Sequence, residues 1–259
     1  MCRHIGYLGP PVALAGPLLD APHSLLVQSY APNDMRCPAK MNADGFGVGW
    51  YTETGGEPLR YRRSDPLWSD QTLPTLARQV RALAILAAAR SASVGMPVME
   101  TASAPFTDGR WLFSLNGMVA GWPDSAVDLA SELDIRQLMT IEAPTDSALL
   151  WAWLRHRFAL GQPAELALTE LTATLSEIAP GSRLNLMLTD GRTLYATAWW
   201  HSLSVLRLAG DAVVVASEPY DADPGWEAIP DRHILVASAS SFRVDPIGSA
   251  IEESSSNQR

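Results

Sequence analysis

The sequence predicts a layered α+β domain in one piece, and three observations carry that expectation. Strand-like stretches rich in β-branched and aromatic residues occupy both ends of the chain. A block of helical periodicity fills residues 125–179 between them, and no Pro-, Gly- or Ser-rich linker separates the parts. With 259 residues, 47% hydrophobic and 18% charged, the chain can bury a substantial core and does not resemble a disordered one.

Residues 4–9 read as a first strand ended by Gly9-Pro10-Pro11, followed by a Pro-rich stretch with a short helix around 24–30. Asn42 to Tyr51 is a Gly-rich turn running into a strand, with its hairpin return at 59–63 after Thr54-Gly55-Gly56. Leu73, Leu76, Val80 and Leu83 stand at helical spacing and predict a helix over 71–81; a buried strand follows at 84–90. Trp111 to Leu115 is a strand that stops at the turn pair Asn116-Gly117. The helical block divides into 125–138, 145–160 and 164–178, with Thr145 or Asp146 capping the second and Pro163 opening the third. Strands return as a hairpin over 184–198 with Asp190-Gly191 at its tip, then at 202–208, 212–217 and 233–239. The expected division is one domain over residues 1–247 and a disordered tail over 248–259.

Composition narrows the function. A net charge of −9 argues against a nucleic-acid binder, which needs a basic face. The longest apolar run, Ala82 to Ala89, falls far short of a bilayer span, and no secretory leader is expected. Two cysteines, Cys2 and Cys37, make no disulfide framework, so a reduced, cytoplasmic protein without a membrane partner is expected. The five histidines, at 4, 23, 156, 201 and 233, show no ligand spacing, so neither a metal nor any other cofactor is expected.

The chemistry-bearing stretch is Met1-Cys2-Arg3-His4. Removal of Met1 leaves a thiol and a free α-amine on one residue, a nucleophile with its own adjacent base. Amide cleavage also needs oxyanion donors, which the side-chain amide of Asn116 and the backbone of Gly117 can supply. Arg90 ends an apolar strand, where its guanidinium suits a carboxylate, and Asp146 at a helix start suits an amine. Each has an ordinary reading as well: a turn for Asn-Gly, a surfacing side chain for Arg90, an N-cap for Asp146. Gly45-Phe-Gly-Val-Gly49 precedes a strand and lacks nucleotide-loop spacing, so its glycines are read as permitting close backbone approach.

Taken together, Met-Cys-Arg-His-Ile-Gly-Tyr-Leu-Gly, Asn42-Ala-Asp-Gly-Phe-Gly-Val-Gly-Trp-Tyr, Arg90-Ser-Ala-Ser, Ser114-Leu-Asn-Gly, Thr145-Asp-Ser and Ala216-Ser-Glu-Pro form an ordered series over residues 1 to about 245. The series resembles stand-alone class II glutamine amidotransferase-like proteins, which are N-terminal nucleophile hydrolases. The resemblance implies a four-layer αββα sandwich with mainly antiparallel sheets and Cys2 as nucleophile. It implies an oxyanion hole from Asn116 and Gly117. It places Arg90 and Ser93 on the α-carboxylate of a γ-glutamyl group and Asp146 on its α-amine. Two positions depart from the pattern: Leu115 stands where the family often has His, and Ser91 follows Arg90 where the family has Trp. The opening nonapeptide and the length are most similar to family members that release glutamate from a small-molecule γ-glutamyl conjugate. Such a hydrolase needs no ammonia acceptor, and no synthase domain is expected on this chain. A glutaminase subunit feeding a partner and a silent γ-glutamyl-binding module are the other readings. Oligomeric state is not legible.

Overall fold

The computed structural model describes residues 2–36 and 41–248. Met1, Cys37 and residues 249–259 lie outside the described residues, and with them the expected loss of Met1 and all but the first residue of the expected tail. The elements run β1 (Arg3–Ala13), α1 (Leu25–Tyr30), β2 (Phe46–Tyr51), β3 (Leu59–Arg63), α2 (Leu73–Gln79), β4 (Arg81–Ala89), β5 (Phe106–Thr107) and β6 (Leu112–Met118). They continue as α3 (Val127–Ser131), α4 (Ile135–Met139), α5 (Asp146–Ala159), α6 (Ala164–Ile178), β7 (Arg183–Thr189), β8 (Leu194–Ala198), β9 (Ser204–Leu208), β10 (Ala212–Ala216), β11 (Glu227–Ala228), β12 (His233–Ala237) and β13 (Phe242–Pro246).

The strands form two antiparallel sheets, one ordered β11-β9-β10-β1-β4-β2-β3 and the other β13-β12-β8-β7-β6-β5. Three apolar layers account for the stacking. Leu25, Leu73 and Ala77 from α1 and α2 pack with Ile5, Ile85 and Val214 on the outer face of the first sheet. Leu8, Leu86, Leu112, Met187 and Val215 fill the space between the sheets. Leu150, Trp151, Leu168 and Leu171 from α5 and α6 cover Phe113, Leu184 and Leu188 on the outer face of the second. The result is the four-layer αββα sandwich that the resemblance implied. Alternation along each strand divides these layers, so β1 sends Cys2, His4, Gly6 and Leu8 inward and Ile5 and Tyr7 outward. Among the described residues no helix is long and apolar enough to cross a membrane.

Several boundaries differ from the sequence expectation. The first strand does not stop at Gly9 but continues through Pro10 and Pro11 to Ala13. Its register with β10 ends at Leu8↔Val213, and its register with β4 shifts between Leu8 and Val12. The two prolines therefore sit where no ladder N–H is required. The expected helix over 125–138 is two short helices, because the Asp134 side chain accepts from the Gln137 backbone N–H at 2.8 Å and Gln137 reciprocates at 3.0 Å. That capping box starts a new helix in the middle of the periodic run. The strand expected at 84–90 begins three residues earlier, at Arg81, after α2 has ended at Gln79. β13 was not expected at all.

Candidate active site

The site gathers at the end of the sandwich where β1 begins. β1 is a central strand, flanked by β10 and β4, so its first residues are fixed from both sides. On the outer face Arg3 is fully buried against Glu218, Nη2 to Oε1 at 2.6 Å, and also donates to the Asp34 carbonyl at 2.7 Å. Glu218 further accepts from the Asn33 N–H at 2.8 Å and lies 2.8 Å from His23 Nε2. A buried ion pair with these added hydrogen bonds holds the chain immediately next to Cys2.

Cys2 itself is half-buried, and its thiol faces the Ser91 carbonyl at 3.8 Å. The register Arg3↔Ala89 sets Cys2 beside Arg90, just past the end of β4. Cys2, Arg90 and Ser147 share a cavity of about 20 Å³ with Ala88, Ala102, Ala104, Phe106 and Leu115. A larger cavity of about 620 Å³ lies on the outer side of the first sheet around Tyr7, Arg81 and Tyr220 and holds none of the predicted site residues. The larger cavity thus lies apart from the predicted site residues, and the smaller one holds two of them, Cys2 and Arg90.

Arg90 donates through Nη1 to the carbonyls of Pro97 at 2.9 Å and Asp44 at 3.4 Å, which leaves Nε and Nη2 to meet an anion. The turn before β2 wraps this arginine: Asp44 N–H donates to the Arg90 carbonyl at 3.0 Å and Arg90 N–H to that of Gly45 at 2.7 Å. The Asp44 carboxylate accepts from the Ala92 N–H at 2.8 Å, pinning the far side of the same loop. Asp44 was quoted in the Gly-rich stretch but given no role there. Its signal was an acid immediately before a Gly that must take positive φ, here +118°.

Asp146 is buried at the start of α5, but it is not the N-cap. Thr145 caps the helix, its hydroxyl accepting from the Ala148 N–H at 3.3 Å, and Asp146 is the first helical residue. The carboxylate of Asp146 instead accepts from Val119 N–H at 3.0 Å, Ser147 N–H at 2.7 Å and Ser147 Oγ at 3.2 Å. Burial pushes this carboxyl above its usual range, and those three donors together with the Arg90 charge act against the rise. Ser147, which holds this carboxylate through its N–H and hydroxyl, lines the same cavity as Arg90.

The second sheet presents Asn116 from the side. Leu8 and Leu112 share the inter-sheet core and His4 Nδ1 lies 3.4 Å from Ser114 Oγ, so Cys2 and Asn116 come next along their strands at the same end. The Asn116 side chain is fully buried, with Nδ2 on Ser217 Oγ at 3.2 Å. At Gly117 the neighbouring strand comes so close that a Cβ would lie 1.8 Å from the Arg183 carbonyl oxygen. Only glycine fits there. Ser93 sits on the half-buried loop after Arg90, its carbonyl accepting from Met96 N–H at 2.9 Å; of the predicted site residues Cys2 and Arg90 line the cavity, and Ser93, Asn116, Gly117 and Asp146 do not.

Two buried histidines near the site escaped the sequence reading. Burial, reinforced by the Arg3 charge, holds His4 down at about 3, and burial with the charges of Arg183 and Arg3 does the same to His201. Both are neutral imidazoles at physiological pH. Gly45, Gly47 and Gly49 meet Ser103 Oγ, the Ala104 carbonyl and the Leu112 side chain at 2.2, 2.4 and 2.6 Å from a hypothetical Cβ. The close-approach reading of that stretch is what the structure shows. Among the described residues no group of three or more His, Cys, Asp and Glu is placed to hold a metal ion.

An αββα sandwich with a cysteine at the head of a central strand defines a class, and the comparisons agree. The chain belongs to the class II glutamine amidotransferases, whose family model matches residues 18–213. It is 42% identical over 250 residues to the gamma-glutamyl-hercynylcysteine sulfoxide hydrolase of Mycolicibacterium smegmatis, covering 95% of this chain and 100% of that protein. The protein of the same description from Mycobacterium tuberculosis is 44% identical over 235 residues, covering 91% of this chain and 92% of that one. Among solved structures, a glutamine aminotransferase class-II domain protein from Silicibacter pomeroyi has TM-score 0.66 at 25% identity over 95% of this chain and 99% of that one. The glutamine phosphoribosylpyrophosphate amidotransferase of B. subtilis shares the fold at TM-score 0.67 and 13% identity, covering 96% of this chain and 50% of that one.

Proposed function

We propose that this chain hydrolyses the γ-glutamyl amide bond of a γ-glutamyl-hercynylcysteine sulfoxide, releasing glutamate, as a step of ergothioneine biosynthesis. The observation that carries the reading is the shared cavity: Cys2 and Arg90 line it together with Ser147, whose N–H and hydroxyl hold the Asp146 carboxylate. A γ-glutamyl group brings an α-carboxylate and an α-ammonium, to which the Arg90 guanidinium and the Asp146 carboxylate are opposite in sign. The substrate names of the relatives supply the leaving portion.

The chemistry follows from the residues. With Met1 removed, the α-amine of Cys2 takes the thiol proton, and the thiolate attacks the γ-carbonyl carbon. Asn116 Nδ2 and the Gly117 N–H stabilise the tetrahedral oxyanion. The amine then gives its proton to the leaving nitrogen, the C–N bond breaks, and a γ-glutamyl thioester remains on Cys2. Water, deprotonated by the same amine, cleaves the thioester and frees glutamate and the thiol. Ser93, on the loop after Arg90, assists the carboxylate from outside the closed cavity. That cavity, at about 20 Å³, holds about one water.

The working compartment under this reading is the cytoplasm, and the ligand is a small molecule, not a nucleic acid. Glutamate release measured side by side from γ-glutamyl-hercynylcysteine sulfoxide and from glutamine tests the proposal, with Cys2→Ala as the blank. Faster turnover of the sulfoxide conjugate is expected. Preference for glutamine would replace the reading with a glutaminase that feeds ammonia to a partner. Intact-mass analysis showing Met1 retained on active protein would remove the α-amine from the mechanism.

A further inference from the structure

Ser217 follows directly after β10, fully buried, and none of the roles above uses it. Its hydroxyl is nonetheless the meeting point of the two halves of the site. Ser217 Oγ accepts from the His4 backbone N–H at 3.0 Å and from Asn116 Nδ2 at 3.2 Å, and donates to the His4 carbonyl at 3.3 Å. The Ser217 N–H donates to that same carbonyl at 3.0 Å. One oxygen thus touches the strand that carries Cys2, two residues upstream, and the side chain proposed to receive the oxyanion.

The polarity of these bonds has a consequence. A hydroxyl has one proton to give, and the His4 carbonyl takes it. Towards Asn116 the oxygen therefore offers only lone pairs, so the amide must turn its nitrogen that way. The Asn116 Oδ1, buried and without a hydrogen-bond partner, finds no donor there that would reward a flip. With one Nδ2 proton spent on Ser217, the second is left to point at an oxyanion above Cys2. We infer that Ser217 is a positioning residue of the reaction: it sets the orientation of the Asn116 amide and ties it to the nucleophile strand. The inference rests on the proposed γ-glutamyl hydrolysis and adds to it the group that aligns its oxyanion donor.

Steady-state glutamate release from γ-glutamyl-hercynylcysteine sulfoxide by wild type, Ser217→Ala, Asn116→Ala and the double variant tests this. A wild type without turnover on that substrate refutes the function itself, not the alignment. Given an active wild type, Ser217→Ala should lower kcat by ~10- to 100-fold, less than the ~10²–10³-fold of losing an oxyanion donor outright, with KM changed by about twofold or less. In the Asn116→Ala background the same substitution should add less than about a threefold loss, because there is no amide left to align. Alkylation of Cys2 by iodoacetamide should proceed at the wild-type rate to within about twofold. Ser217→Thr, which keeps the hydroxyl, should hold kcat within about threefold of wild type. Fully multiplicative losses in the double variant, or alkylation that slows in step with kcat, would overturn the inference. So would a threonine variant as slow as the alanine one.

Discussion

Replacing Gly117 by alanine puts the smallest side chain at the tightest place in the site. The new Cβ would stand 1.8 Å from the Arg183 carbonyl oxygen and 2.5 Å from its carbon, both backbone atoms of the neighbouring strand, where real Cβ contacts do not fall below 3.0 Å. The end of β6 must therefore withdraw from β7 by roughly 1.2 Å, and neither side can yield by rotating a side chain. Withdrawal costs on the order of 2 kcal/mol, read as a Tm lowered by roughly 4–8 °C. It also moves the Gly117 N–H and the Asn116 amide off the oxyanion position, and a displacement of about 1 Å costs ~10²-fold in rate. The assay is glutamate release under saturating substrate together with a thermal melt. Both should fall, and kcat should fall with little change in KM, because the lost interaction belongs to the tetrahedral state. A Gly117→Ala protein that melts and turns over like wild type would refute the close approach and the oxyanion assignment together.

Other outcomes follow from the same geometry. Asp146→Asn turns an amide N–H towards at least one of the donors now held by the carboxylate and removes the charge opposite Arg90; KM for a γ-glutamyl substrate should rise on the order of 10- to 100-fold. Unchanged KM would exclude Asp146 as the amine's partner. Gly47→Ala directs a methyl to 2.4 Å from the Ala104 carbonyl, so the wall of the cavity must shift; substrate affinity should weaken more than kcat, measured by the same kinetics. Acidification should unfold the protein early. His4 and His201 are held at about 3 in the fold against 6.5 when unfolded, so between those values the unfolded chain binds more protons and stability falls as pH falls. By pH 5 each costs about 2 kcal/mol, and urea midpoints that stay flat from pH 7 to 5 would contradict the burial of both rings.

Much of this was open to inspection in the sequence, and the failures have causes. Periodicity found α6, whose buried Ala164, Ala167, Leu168, Leu171 and Leu175 recur on one face, while α5 is buried all round from Ala148 to Leu154; the same reading ran straight through Asp134, where Ile135 and Met139 prove 76% and 80% exposed. The Asp-x-x-Gln capping box was there to be read and outweighs the apolar spacing. Pro10 and Pro11 looked like a stop because strand reading assumes a partner on both sides, and at that point β10 has ended. The site's charged residues were legible as types suited to a ligand. Which of them share a cavity depends on register, and register is a long-range property: Arg3↔Ala89 brings Arg90 to Cys2 and leaves Ser93 on the loop beyond. Ser217 and Asp44 escaped a functional reading because the groups they meet, the Asn116 amide and the Ala92 N–H, lie 101 and 48 residues away in the chain.

The central place of β1 has a consequence in time. In synthesis β1 emerges well before one of its two neighbours, β10, and Ser217, whose hydroxyl joins His4 to Asn116, follows His4 by 213 residues. At ~5–20 residues per second that interval is roughly 10–40 s. Throughout it β1 belongs to a half-built sheet with one edge unpaired. Nor is Asn116 tied to β1 through Ser217 before that residue arrives. A chain stalled before β10 should therefore carry Cys2 and Asn116 without the bond through Ser217 that aligns them, and should release no glutamate.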